Sequence, residues 1–307
     1  MSGTSTTGSA GALQAHRPML LGLAYRMVGS LPDAEDILQD AYLRWLTVDR
    51  ESVAEPRRYL SRVVSRLAID KLRARRASRE AYVGPWLPEP VPTGGEPFGP
   101  LDRVEQRETL SVAMLHVLER LNPIERAVYL LRTAFDLPYT EIAGILDRSP
   151  ADCRQLHHRA VAHVGQDRTR FTADPAEQER LLTAFLAAAR DGDLAGLTAL
   201  VATNATAWSD GGGRVRAALN PVYGADKIAR FAAGVLGPHR TGLRFDRTEV
   251  NGQPAVVTRQ PGRAPYLFTV GAAGGRITGL YLVGNPEKLA WLRRPGRPDP
   301  ADLTRPT

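Results

Sequence analysis

Asp33-Ala34-Glu35-Asp36-Ile37-Leu38-Gln39-Asp40-Ala41-Tyr42-Leu43-Arg44-Trp45, followed by Pro56-Arg57-Arg58-Tyr59-Leu60-Ser61-Arg62-Val63-Val64-Ser65-Arg66-Leu67-Ala68-Ile69-Asp70-Lys71-Leu72-Arg73, decides how the chain reads. In the first stretch Ile37, Leu38, Ala41, Tyr42 and Trp45 recur at helical spacing. Pro32 and the acids after it occupy a first turn, where negative charge favours the helix dipole. The second stretch predicts a helix from Pro56 to about Glu80, with Tyr59, Leu60, Val63, Val64, Leu67, Ile69 and Leu72 as its apolar residues. Charge separates between the two. Residues 31–51 hold six acids and two arginines, whereas residues 57–80 hold nine basic residues and two acids. Arg58, Arg62, Arg66, Arg73 and Arg76 form a helical stripe suited to a phosphate backbone, with affinity that falls as salt rises. A solvated helix face is the competing reading of such a run.

The residue order decides between them. Both stretches resemble region 2 of bacterial sigma factors of the short, extracytoplasmic-function type. The resemblance implies that the acidic helix docks on RNA polymerase through Asp36, Gln39, Asp40 and Arg44. It further implies that the basic helix meets the −10 promoter element through Arg62, Arg66, Asp70, Arg73 and Arg76, and captures a base flipped from the non-template strand. Flipping a base costs a few kcal/mol, which stacking and pocket contacts offset. The chain departs from many relatives at Tyr59, where they carry Trp, and at Arg66, where they carry Asn.

Beyond residue 100 the helical pattern resumes. Leu110–Leu121 is amphipathic, and Asn122-Pro123 opens another helix. Thr140 is placed to cap a short helix ending at Leu146. A tight turn, Asp147-Arg148, leads to Ser149-Pro150, a favoured cap and first-turn pair. On the next helix Cys153, Leu156, Ala160 and Val164 face inward, and Arg154, Gln155, His158 and Arg159 face outward. That is the layout of a helix-turn-helix whose second helix enters a major groove. A protein-packing helix pair has the same outline. The preceding Leu121–Leu131 stretch resembles the start of sigma region 4, which implies that Ser149, Arg154, Gln155, His158 and Arg159 meet the −35 element. Val161 replaces a basic residue common in relatives.

The remaining residues change character. Helices Glu177–Arg190, Leu194–Val201 and Ala225–Leu236 accompany β-like runs at Thr206–Ser209, Leu243–Val250, Ala255–Arg259, Tyr266–Val270 and Ile277–Val283. Asn251-Gly252 and Gly274-Gly275 are hairpin signals, so an antiparallel meander in an α+β domain is expected. The pattern resembles a SnoaL-like domain of the NTF2-like fold. Three stretches sharpen this resemblance: Trp86-Leu87-Pro88-Glu89-Pro90, Asp210-Gly211-Gly212-Gly213-Arg214 and Asn285-Pro286-Glu287-Lys288-Leu289. Each has a plain alternative, as spacer, loop and helix cap. An intramolecular regulatory interface among them is the favoured reading, and the resemblance to sigma factors with a fused SnoaL-like domain implies the same.

The expected architecture is therefore multidomain: two all-α sigma domains, a region 2 helical bundle and a region 4 helix-turn-helix, plus a C-terminal α+β NTF2-like cone. The expected boundaries are 13–82, a linker at 83–102, 103–168, 175–292 and a flexible tail at 293–307. With 307 residues, 43% of them hydrophobic, wholesale disorder is excluded. One cysteine, Cys153, excludes a disulfide scaffold. His157, His158 and His163 lie on different helix faces, so neither metal nor cofactor is implied. His239 has no obvious acid partner, so the domain is not expected to be an enzyme. The expected partners are core RNA polymerase, promoter DNA and an unidentified small-molecule effector, with no membrane contact and a cytoplasmic location. The alternative function is a polymerase-independent helix-turn-helix regulator with a ligand-sensing domain.

Overall fold

A computed structural model describes residues 6–49, 53–93, 98, 109–168, 171 and 173–293. The expected tail beyond residue 293 and most of residues 94–102 lie outside the described residues. The chain divides into two compact units. The first comprises residues 1–81 and 93–168, and the second residues 82–92 and 169–307.

The first unit is helical. Its elements are α1 (Thr6–Val28), α2 (Leu31–Leu46), α3 (Pro56–Glu80), α4 (Val112–Leu118), α5 (Pro123–Thr133), α6 (Tyr139–Leu146) and α7 (Pro150–Arg168). Helix α2 buries Ala34, Ile37, Leu38, Ala41 and Trp45, the face that its spacing marks. Trp45 is seated beside Tyr59 of α3, with ring centroids 5.5 Å apart. Asn122 and Glu125 close a reciprocal capping box on α5. Arg26 and Arg126 are interior, and Arg126 Nε donates to the Arg26 carbonyl at 3.0 Å. Burial lowers their pKa values, to about 10 for Arg26 and about 9 for Arg126.

Two local expectations are corrected. Helix α4 is shorter than Leu110–Leu121, because Ser111 caps it by accepting from the Met114 N–H at 3.0 Å. Thr140 does not cap α6. The Pro138 carbonyl accepts from Glu141 and Ile142, so the helix begins earlier and Thr140 lies inside its first turn.

The second unit is α+β. It holds α8 (Pro175–Asp191), α9 (Leu194–Leu200), β1 (Val201–Asp210), β2 (Val222–Tyr223), α10 (Ala225–Leu236), β3 (Arg244–Val250), β4 (Gln253–Arg259), β5 (Tyr266–Ala273) and β6 (Arg276–Val283). The strands form one six-stranded sheet in the order β2-β1-β6-β5-β4-β3. Strands β3 to β6 are the expected antiparallel meander, but β1 pairs with β6 in parallel. A parallel partner needs a long crossover, and α10 together with the meander supplies one. Asn251 and Gly252 both have positive φ, 56° and 73°, as the tight turn between β3 and β4 requires. Leu181, Phe185, Leu197 and Ile228 of the helices pack with Val256, Phe268 and Leu280 of the sheet.

Candidate functional site

In the first unit the outward face of α2 carries Asp36, Gln39, Asp40 and Arg44, all exposed. Two apolar residues stand with them, Leu43 at 55% exposure and Leu46 at 40%. Lys71 of α3 reaches Asp33 at 2.9 Å and Asp36 at 3.4 Å, which ties the acidic helix to the basic one.

On α3, Arg62 Nη2 lies 2.8 Å from Asp147, and Arg66 pairs with the same carboxylate. Asp147 is the residue that ends α6, in the left-handed conformation at φ 51°. The turn of the helix-turn-helix therefore holds two arginines of the basic stripe. Asp70 and Arg73 pair with each other one turn along α3, at 3.4 Å. A cavity of about 300 Å3 opens there, lined by Arg66, Asp70, Arg73, Asp147 and Arg148 among others. Arg76 is on α3, but its side chain lies outside the described residues.

Helices α6 and α7 form the expected helix-turn-helix. Ser149 Oγ accepts from the Asp152 N–H at 3.0 Å and so caps α7. Cys153, Leu156, Ala160 and Val164 are buried, whereas Arg154, Gln155, His158 and Arg159 are exposed. Arg159 approaches Glu125 at 3.4 Å, and the Arg154 guanidinium lies over the Tyr139 ring. His157 turns inward to Tyr139 Oη at 3.0 Å; burial first, then Arg132 and His158, lowers its pKa. Burial raises the Cys153 thiol. Among the described residues no group of three or more His, Cys, Asp or Glu side chains is placed to hold a metal.

In the second unit the three short stretches meet at one buried carboxylate. Asp210 ends β1 and is fully buried. It accepts from the Leu87 N–H at 2.8 Å and the Tyr82 hydroxyl at 2.6 Å, and pairs with Lys288 Nζ at 2.6 Å. Lys288 also donates to the Leu87 carbonyl, and its ammonium sits 4.0 Å from the Trp86 ring centroid. Asn285 Nδ2 donates to Tyr82 Oη at 2.9 Å. The Asp210 carbonyl accepts the backbone N–H groups of Gly284 and Asn285. Pro286 and Glu287 complete this turn: the Glu287 N–H bonds Asn285 Oδ1, and Glu287 reaches Arg214 at 3.1 Å. Gly211 is buried, and Gly212 has φ 58°; a Cβ at Gly212 would run into the Asn285 amide. At Gly213 a Cβ would come 3.2 Å from Val83. Leu289 is buried beneath.

Residues 82–92 thus form a strap on the second unit. Leu87, Pro88 and Pro90 are buried, Trp86 and Glu89 half-buried. A second anchor lies at its far end, where Val91 N–H donates to Asn251 Oδ1 at 2.9 Å and Asn251 N–H returns to the Val91 carbonyl at 2.8 Å. Sequence reading missed Tyr82, Val91 and Asn251. The Asn251 hairpin signal was legible, but nothing local marks its side chain as a strap clamp. In the sequence Asp147 marks only a tight turn, and its two arginine partners are 85 and 81 residues away.

A helical unit that joins an acidic helix face, a basic stripe and a helix-turn-helix defines the class, and the comparisons make it specific. Residues 12–78 match the model of Sigma-70 region 2, and residues 111–164 match that of Sigma-70, region 4. The ECF RNA polymerase sigma factor SigJ of Mycobacterium tuberculosis is 36% identical over 287 residues, covering 90% of this chain and 91% of the relative. A probable ECF RNA polymerase sigma factor from the same species, SigI, is 30% identical over 295 residues, covering 92% and 95%. The crystal structure of SigJ superposes with a TM-score of 0.71 at 33% identity, covering 92% of this chain and 98% of that one. The chain belongs to the ECF RNA polymerase sigma factors, in the form that carries a fused C-terminal regulatory domain of mixed α+β fold. The alternative of a polymerase-independent regulator falls with this finding. No helix among the described residues is long and apolar enough to cross a membrane.

Proposed function

We propose that this sigma factor divides its work among three surfaces. Core RNA polymerase docks on Asp36, Gln39, Asp40 and Arg44, with Leu43 and Leu46 adding apolar contact. The −10 element is engaged by Arg62, Arg66, Asp70, Arg73 and Arg76, and the −35 element by Ser149, Arg154, Gln155, His158 and Arg159. Sheet and helices of the C-terminal unit wrap its interior as a cone that takes a small-molecule effector. That unit regulates by holding the strap, because the segment joining the two sigma regions passes through it.

The observation that carries this reading is the Asp210 cluster. One buried carboxylate binds the strap at Leu87 and Tyr82 and the C-terminal segment at Lys288. Removing one partner of such a pair leaves a buried charge uncompensated, so the cluster ties the strap to the C-terminal segment. Its loss would free the strap and change the reach available between regions 2 and 4. The test deletes residues 285–307 and compares promoter activity and polymerase affinity with the full chain. A change in either is expected, and no change in both defeats the regulatory reading.

A further inference from the structure

The second unit contains a cavity of about 400 Å3 that the strap does not touch. That is within the range of small-molecule sites, about 300–1,000 Å3. Its floor is apolar, with Phe231 of α10, Leu243 and Leu282 of β6. Thr258 and Ser209 add two buried hydroxyl groups. Its rim is cationic: Arg216, Arg230, Arg240 and Arg263 all line it, and no carboxylate does. Among the described residues none of these four guanidinium groups is paired with an acid. Other exposed arginines of the same unit do have such partners, Arg247 with Glu179 and Arg259 with Asp246.

Two details of this lining bear on what it would accept. Arg240 is half-buried and held by a bond from Nη2 to the Gly234 carbonyl at 3.0 Å, while its Nε is buried without a hydrogen-bond partner. A buried guanidinium donor left unpaired is costly, and an incoming acceptor would relieve it. Tyr266 sits on the same wall, with its hydroxyl bound to the Arg216 carbonyl. Arg240, Arg263 and Arg216 all act on that hydroxyl electrostatically, although burial dominates and raises its pKa.

We propose that this cavity binds a small amphipathic organic anion, its apolar body on the Phe231–Leu282 floor and its acidic head under the four guanidinium groups. Carboxylate and phosphate heads share the required chemistry. This deepens the effector part of the proposed function and does not depend on the strap, since binding is measured without polymerase or DNA.

The experiment titrates the full chain calorimetrically with decanoate, decyl phosphate, decanol, decylamine and inorganic phosphate. One saturable site is expected for decanoate or decyl phosphate, at least tenfold tighter than for decanol and weakened by salt. Whichever acid binds more tightly identifies the head. The double variant Arg240→Gln, Arg263→Gln should lose at least tenfold for the acid and little for decanol. If that variant does not fold, the acid–alcohol comparison on the native chain decides alone. Equal affinity for decanoate, decyl phosphate and decanol, tighter binding of decylamine, or no binding of either acid overturns the proposal. Inorganic phosphate binding as tightly as decyl phosphate overturns it as well, because the apolar body would then contribute nothing.

Discussion

At the scale of single residues, Asp210 and Lys288 dominate the second unit. The carboxylate is fully buried and the ammonium nearly so, each the principal partner of the other. Removing one member of a buried pair leaves the other uncompensated, at a cost of about 3–5 kcal/mol. Lys288→Ala should therefore lower the unfolding free energy of the second unit by about that much, read by denaturant melting with tryptophan fluorescence. A loss below about 1 kcal/mol would mean the pair is solvated. Tyr82 gives a pH handle. Burial first, and then its bond to Asp210, raises its pKa above the ordinary 10.0. A raised tyrosine contributes its stability in full below pH 10, and loses it as pH climbs through the raised value. Subtracting the phenolate titration of Tyr82→Phe from that of the native chain should leave one tyrosine ionising above its ordinary value; a difference centred at that value contradicts the strap geometry. Asp210 stood out in the sequence only as the start of a glycine run. Its partners lie 78 to 128 residues away, and no local pattern carries that pairing.

At the scale of elements, the helices were legible because periodicity and caps agree. Helices α3 and α10 have the boundaries that their apolar spacing predicts, and Ser149-Pro150 opens α7 as its chemistry demands. The start of α6 was not legible, since Pro138 offers its carbonyl before Thr140 can cap. The parallel β1–β6 pair was hidden for a similar reason: strand propensity says nothing about which distant strand is the neighbour. The contact of α3 with the α6–α7 turn has a functional consequence. Asp147 occupies two arginines of the basic stripe proposed for the −10 element, yet all three side chains are 40% or more exposed, so each pair adds only about 0–1 kcal/mol. Asp147→Asn keeps a residue that tolerates the left-handed conformation and frees both guanidinium groups. The full-length variant should bind a −10 non-template oligonucleotide about three- to tenfold more tightly at low salt, read by fluorescence anisotropy. Affinity within twofold of the native chain would mean that phosphate already displaces Asp147 without cost.

At the scale of the molecule, the net charge of +7 was a poor guide. It averages an acidic face on α2, a basic stripe on α3 and an unpaired cationic rim in the second unit. The residue order within 33–45 and 56–73, more than the charge contrast around it, carried the class, whereas the rim was invisible because its four arginines come from separate segments. Regions 2 and 4 were readable since each is built from contiguous motifs. The strap was readable only as a Trp-Pro segment that ought to dock somewhere, and its seat required the fold. The chain is a sigma factor, and its C-terminal unit is proposed to set its activity through the strap. In vitro transcription with core RNA polymerase tests it most directly, comparing the full chain with a chain ended near residue 172. Polymerase-dependent initiation is expected at a promoter with matched −10 and −35 elements, at a rate that changes when the C-terminal unit is absent. No transcription from either chain on any candidate promoter, or tight duplex binding without polymerase, would contradict it.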